Sequence, residues 1–291
     1  MPQAKIGVIG GSGLYDIAGM TDIEEIDLDT PFGKPSDAIT IGKLEGVGVA
    51  FLPRHGKGHR ISPTEIPVRA NIYALKSLGV EHIIAVNAVG SFRAEIKPGD
   101  LLIPDQIIDR TRSRVNSFFE GGVVVHIQFA HPFCPALSQI AYQAAREVKA
   151  TVHQGGTYIA MEGPALSTQA ESRLYRSWGA SIIGMTAIPE AKLAREAEIC
   201  YAIVAGITDY DSWQEESEPL EIGTIISILR RNTDTLKEIV KLIVARIPEK
   251  RDCACATALK TAVVTASELI PAGQKKKYDL LIGKYLNKRR Y

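Results

Sequence analysis

An α/β fold with a largely buried sheet is predicted by three observations. Short β-like runs and stretches of helical periodicity mix along the chain. The apolar fraction is 45% and the charged fraction 23%, ordinary for a soluble globular chain. No internal repeat or low-complexity linker divides the 291 residues, and at about 150 residues per domain that length means one large domain or two small ones.

The elements follow in order. Residues 5–9 are a β-branched run that stops at Gly10-Gly11-Ser12-Gly13, and 47–52 form a second run ending just before Arg54. Helical periodicity over 65–78 is followed by a strand at 82–86 and another at 100–104. Helices are expected at 136–148 and 168–178, a strand at 181–185, a helix at 188–197, an apolar strand at 200–207 and a long helix at 223–247. After residues 269–273 the chain turns basic, with Lys275-Lys276-Lys277, Lys284 and Lys288-Arg289-Arg290. Tyr278, Leu281, Ile282, Tyr285 and Leu286 recur there at roughly helical spacing, which reads as a surface helix docked on the body. The competing reading of this tail is a nucleic-acid or membrane contact.

Composition excludes several classes. Lys+Arg 34 against Asp+Glu 33 leaves +1, so no global field recruits nucleic acid or an anionic membrane. No window approaches the roughly 18 apolar residues of a membrane span. The start runs straight into a strand and a glycine turn without a signal-peptide apolar region, so a cytoplasmic location is expected. Cys134, Cys200, Cys253 and Cys255 are too few for a disulfide scaffold, and with no CxxC and no His/Cys ligand set, no metal is expected. Cys253-Ala-Cys255 reads as two loop thiols or as a redox-active or stabilising bridge.

Four segments carry chemistry. In Gly10-Gly11-Ser12-Gly13 the glycines let backbone amides approach an anion, and Ser12 adds a donor. A nicotinamide-dependent oxidoreductase would need GxGxxG opening a helix, and here the third glycine is missing. In Arg54-His55-Gly56-Lys57-Gly58-His59-Arg60, Arg54 offers a bidentate fork and His55 a further donor, whereas Lys57 and Arg60 read as solvated. Asn87-Ala88 at a strand end would complete a phosphate cradle, because strand ends in α/β sheets converge on one crevice. Asp209 and Asp211, closing the apolar strand, point the same way if extended. Two like charges in one crevice raise at least one pKa, and a raised Asp can protonate a leaving group near neutrality.

Ten segments now stand in order: GVIGGSGL, DTPFGKPSDAI, RHGKGH, ANIYALK, NAVGS, PGDLLIPDQIIDRT, HPFCP, EGPALSTQAES, GMTAIPEAKLAREAEICYA and TDYDSW. Over residues 5 to 271 the chain thereby resembles the methylthioadenosine phosphorylases of the trimeric purine nucleoside phosphorylase family. The resemblance implies one domain, 1–271, around a mixed, partly barrel-like sheet flanked by helices, with 272–291 a basic extension outside it. It implies phosphorolysis of a purine nucleoside, here S-methyl-5'-thioadenosine, in purine and methionine salvage. Inorganic phosphate is the co-substrate and no cofactor is used. Ser12, Arg54, His55, Asn87, Ala88 and Thr186 would hold phosphate; Met185 would lie under the ribose with His59 near sugar and phosphate. Asp209 and Asp211 would face N7 and the 6-amino group, and Leu166 and Ser167 fall in the base-binding segment. His126, Ile222 and Ile225 would line the 5' pocket, and Leu269 would reach a neighbouring subunit, implying a homotrimer or a pair of trimers.

Three departures from the family pattern bear on specificity. Ala165-Leu166 replaces the family's Arg-Phe, removing the aromatic that stacks on the base, and Asn87 stands where many relatives have Thr. Specificity extending to adenosine, inosine, guanosine or methylthioinosine is the alternative. Relatives that prefer 6-oxo purines carry Asn at the place of Asp209. By the same resemblance a Cys134–Cys200 bridge would suit a thermostable relative.

Overall fold

The computed structural model describes residues 3–11, 18–214 and 222–286. Its core is a branched, mixed sheet. β1 (Ile6–Gly10) lies between β4 (Val47–Pro53) and β5 (His82–Ser91), parallel to both. β2 (Thr21–Ile26) and β3 (Ile39–Leu44) extend this side antiparallel beyond β4. β6 (Leu101–Ile103), β7 (Gln106–Arg110), β8 (Val152–Gln154), β9 (Thr157–Met161) and β10 (Ile182–Gly184) form the other side, with β7 parallel to β9 and β9 parallel to β10. β11 (Cys200–Tyr210) pairs with β5 in parallel along nearly its whole length and carries β6 and then β8 on its far edge.

The central strands are buried almost throughout, as a sheet covered on both faces requires, and successive residues face two core layers in turn. Ile9, Ile83, Ala85, Ile203 and Ala205 face one layer, with α1 (Val68–Ser77) and α4 (Ala187–Glu196). Ile6, Val8, Ile84, Val86, Ala202 and Val204 face the other, against α2 (Pro135–Glu147) and α5 (Ile222–Arg246). α3 (Gln169–Ser177) is started by a Thr168/Glu171 capping box, and its Tyr175 joins a third cluster with Phe92 and Ile159.

The predicted α/β fold is found, with every predicted strand and helix present. β2, β3, β7, β8 and β9 were not anticipated. β2 is acidic and mostly exposed, β8 has three residues, and β9 is fixed by its two partners rather than by any alternation of its own. β5 and β11 run past the expected 86 and 207 because each continues to pair with the other.

The basic tail folds as α6 (Ala272–Lys277) and α7 (Asp279–Leu286). Tyr278, Leu281 and Ile282 enter the α1/α4 core, and Tyr278 Oη accepts from the Glu120 amide at 3.1 Å. Lys277 pairs with Glu120 at 2.9 Å, and Lys284 pairs with the buried Glu198, which also accepts from Tyr285 Oη at 2.6 Å. The bridge expected between Cys134 and Cys200 is not formed: all four cysteines are free thiols. The segment after α5 brings a third sulfur, Cys253 Sγ, to 3.2 Å from Cys200 Sγ.

Candidate active site

A split in the sheet builds the crevice. β11 occupies one edge of β5 throughout, so β1 and β10 must share the other. β1 pairs with residues 82–85 and β10, running antiparallel, with 90–91, so residues 86–89 have no strand on that edge. Two sets of residues converge on the gap from opposite directions. From one end come the exits of β1, β4, β5 and β11; from the other, Met185 and Thr186 as β10 ends. Ala88 is the one exposed residue in otherwise buried β5, which marks the opening. Diverging strands of this kind are where α/β sheets bind ligands.

A buried polar chain lines the gap. Arg54 is 2% exposed, and a guanidinium so buried needs a counter-charge. Glu190, on α4, provides it, at 2.5 Å from Nε and 3.1 Å from an Nη. The other Arg54 contacts reach the Val86 carbonyl at 2.9 Å, and the Ile9 carbonyl and Asn87 Oδ1 at 3.5 Å. Tyr201 Oη also donates to Glu190, at 3.0 Å. Asn87 Nδ2 donates to Thr186 Oγ1 at 2.7 Å, leaving the Thr186 hydroxyl proton free to donate. Glu190 thus takes one edge of the Arg54 fork, and the guanidinium's other contacts are to Val86, Ile9 and Asn87 beside the gap. His55 Nδ1–H donates to the Ile61 carbonyl at 2.9 Å. Burial pushes the His55 pKa down to about 4, against the Ile61 bond and with help from Arg54 and His59, so the ring is neutral at pH 7. His59 stacks on it with ring centroids 4.2 Å apart.

The two aspartates stand together across β5. The β5–β11 register shifts between Ile207 and Asp209, and this bulge re-aims the end of β11. A Cβ on Gly90 would lie 2.9 Å from Asp209 Oδ2 and 3.3 Å from Asp211 Cβ, so both residues lie against one spot that only glycine leaves open. Burial raises the Asp209 pKa; the Thr208 hydroxyl offsets part of that and the Asp211 charge adds to it. Thr208 Oγ1 lies 2.5 Å from Asp209 Oδ1 and 3.1 Å from the Val89 carbonyl. Burial also raises the Asp211 pKa, opposed by serine hydroxyls. Asp211 Oδ1 accepts from Ser167 at 3.1 Å, and its Oδ2 is buried without a hydrogen-bond partner.

Other expected residues are placed unevenly. Met185 packs over Gly163, where a Cβ would meet its Sδ at 2.5 Å. Leu166, beside the buried Ser167, is 47% exposed, and His126 and Leu269 lie on the surface, Leu269 being 72% exposed. Ser12 and the side chains of Ile222 and Ile225 lie outside the described residues.

Glu190 and Arg114 were missed by sequence reasoning. A charged residue at a core position of an apolar helix was a readable signal for Glu190; Arg114 carried none. The Arg114 guanidinium donates to the carbonyls of Met185, Ile188 and Glu162, and so clamps the loops that carry the site. Glu162 completes that clamp. Despite desolvation, the Arg112 amide, the Thr64 hydroxyl and the Arg114 charge hold its carboxyl down to about 2.

The profile of the phosphorylase superfamily matches residues 5–245. The S-methyl-5'-thioadenosine phosphorylase of Geobacter sulfurreducens is 57% identical over 285 residues, covering 98% of this chain and all of that one. A crystal structure of methylthioadenosine phosphorylase from an antarctic soil metagenomic library superimposes with a TM-score of 0.93 at 45% identity, covering 97% of this chain and 99% of that one. The Schistosoma mansoni methylthioadenosine phosphorylase in complex with adenine gives 0.81 at 36% identity, over 86% and 93% of the two chains. With its split sheet and paired aspartates, the chain belongs to the S-methyl-5'-thioadenosine phosphorylase family of the phosphorylase superfamily.

Proposed function

We propose that the chain is a pentosyltransferase that splits S-methyl-5'-thioadenosine with inorganic phosphate into adenine and 5-methylthioribose-1-phosphate, a purine and methionine salvage reaction. The observation that carries this reading is the Asp209/Asp211 pair, held protonatable by burial beside a gap lined with neutralised polar groups. Adenine leaves poorly until N7 is protonated, and Asp209 supplies or shares that proton. Asp211 accepts from the 6-amino group. Phosphate sits in the gap on the Thr186 hydroxyl, Asn87 and the exposed backbone at Ala88, with Ser12 and His55 adjoining. Arg54 holds Asn87 and the Val86 carbonyl in place. The phosphate charge lies beside the ribosyl carbon as it gains oxocarbenium character, stabilises it, and then attacks. Holding phosphate and sugar in line removes entropic cost. Met185 and His59 adjoin the sugar, and Leu166 and Ser167 the base; His126, Ile222 and Ile225 line the 5' pocket.

Residues 1–271 form the catalytic domain in this reading, and 272–291 an extension held on it. Val124, Val264 and Leu269 are exposed apolar residues, and the first two are joined by the Val264-to-Val124 backbone bond at 2.9 Å. They fit a trimer in which Leu269 reaches a neighbour's pocket. Among the described residues no helix is long and apolar enough to cross a membrane, which accords with a cytoplasmic enzyme. The test is phosphate-dependent release of adenine from methylthioadenosine, with inosine as comparison. Release without phosphate, or none at all, overturns the reading. A second reading, broader purine specificity, is favoured by Leu166, which is exposed and offers no aromatic face to the base.

A further inference from the structure

Four thiols unused by this chemistry meet at the opposite end of the sheet. Cys134 caps the start of α2, Cys200 opens β11, and Cys253 and Cys255 stand at the short 3-10 turn after α5. Their four Sγ atoms all lie within 4.8 Å of one another. Cys134, Cys200 and Cys255 are buried and Cys253 half-buried. Cys200 and Asp209 occupy opposite ends of β11, about 30 Å apart at 3.3 Å per residue. The cluster therefore belongs to no part of the crevice.

Geometry separates the uses such a cluster could have. A disulfide joins sulfurs at about 2.05 Å and would divide the four into pairs. A tetrahedral zinc ion with bonds of about 2.3 Å holds all four sulfurs about 3.8 Å apart. The observed set, with one contact of 3.2 Å and none beyond 4.8 Å, brackets that spacing. A water-sized cavity of about 20 Å³ adjoins it, lined by Cys134, Cys200, Cys253, His82 and Arg251. The buried His82 Nδ1 has no hydrogen-bond partner. Arg251, fixed by its bond to the Glu198 carbonyl at 2.6 Å, brings positive charge to what would be a dianionic tetrathiolate centre. Cys134 sits at a helix N-terminus, which favours a thiolate.

We propose that Cys134, Cys200, Cys253 and Cys255 bind one zinc ion as a closed structural site that ties α2, β11 and the segment after α5 together. Zinc enters as the divalent ion, the four thiols release their protons to solvent, and no oxidation state changes. With four protein ligands no position is left for water, so the ion takes no part in catalysis. The spacing of the cysteines concealed this set, because the ligands come from three distant segments and only the fold gathers them.

The test is metal analysis of the full chain as isolated under reducing conditions, followed by cobalt(II) addition to chelator-treated protein. About one zinc per chain is expected, with the intense visible absorption and thiolate-to-cobalt charge transfer of a tetrahedral tetrathiolate. Cys253→Ser and Cys134→Ser are each expected to lower bound zinc at least tenfold. Where a variant does not fold, the cobalt spectrum of the unaltered chain decides. Zinc-free protein that gives no cobalt tetrathiolate spectrum overturns the proposal. So do two disulfides in the denatured, unreduced chain, or full zinc retention in a folded Cys253→Ser chain.

Discussion

Asp209 and Asp211 bind their protons more tightly in the folded chain than in water, because burial penalises the carboxylate. Two consequences have definite sign. For catalysis, the acid form persists above the ordinary carboxylate range, so the rate falls as pH rises through the raised pKa. Asp209→Asn is expected to lower kcat/KM for methylthioadenosine about 10²–10⁴-fold with the fold intact, and to raise the inosine-to-methylthioadenosine activity ratio. For stability, a raised folded pKa means that the native state holds more protons, so stability is lost as pH rises from the model-peptide value of 3.8 upward. Asp211→Asn, which removes a buried charge whose Oδ2 has no partner, should melt higher than the parent at about pH 8 and no higher at about pH 3. A melting series across pH checks this, and an unchanged difference at both ends would contradict it. Arg54 and Glu190 behave in the opposite way. Removing either leaves the other charge buried, so Arg54→Ala or Glu190→Gln should cost about 3–5 kcal/mol in denaturant unfolding.

At the level of elements, the end of β5 and the bulge of β11 set the distance between the acids. Gly90→Ala introduces a Cβ that must displace Asp209 Oδ2 and press on Asp211. It should reduce activity far more than stability, and equal losses in both would count against that account. The tail helices are the other element with a measurable role. Tyr278 is fully buried among Phe32 and Phe119, so Tyr278→Ala should destabilise the chain by about 3–5 kcal/mol. Truncation after Pro271 removes Tyr278 together with the Lys284 and Tyr285 partners of buried Glu198, and should lower the melting temperature at least as far. The same residues explain why the amphipathic spacing of the tail was readable as a docked helix, whereas its charge was not assignable. Lys277 and Lys284 lie beside acids more than eighty positions away in the chain.

For the whole molecule, the exposed group of Val124, Val264 and Leu269 accords with assembly through this face. Sedimentation is expected to give a mass of three chains of 31.6 kDa each. Leu269→Glu should raise KM for methylthioadenosine with little effect on the melting of the isolated fold. A monomer of full activity would refute this.

The amino-acid order alone determined the alternation of strands and helices and the buried central strands, and it singled out Arg54, Asn87, Asp209 and Asp211, which the fold brings to the crevice. Those features depend on local periodicity, on glycine next to a strand end, and on short contiguous motifs. Other features became defined only when distant segments met. The gap at residues 86–89 exists because β1 and β10 share one edge of β5 without meeting. Arg54 was legible as a cation but not as the partner of Glu190, since the pair is separated by 136 positions and by the whole topology of the sheet. The convergence of Cys134, Cys200, Cys253 and Cys255 has the same origin. Hydrogen bonds, charge pairs and ligand sets depend on distances of a few ångströms, and a linear sequence fixes such distances only within one turn or one strand.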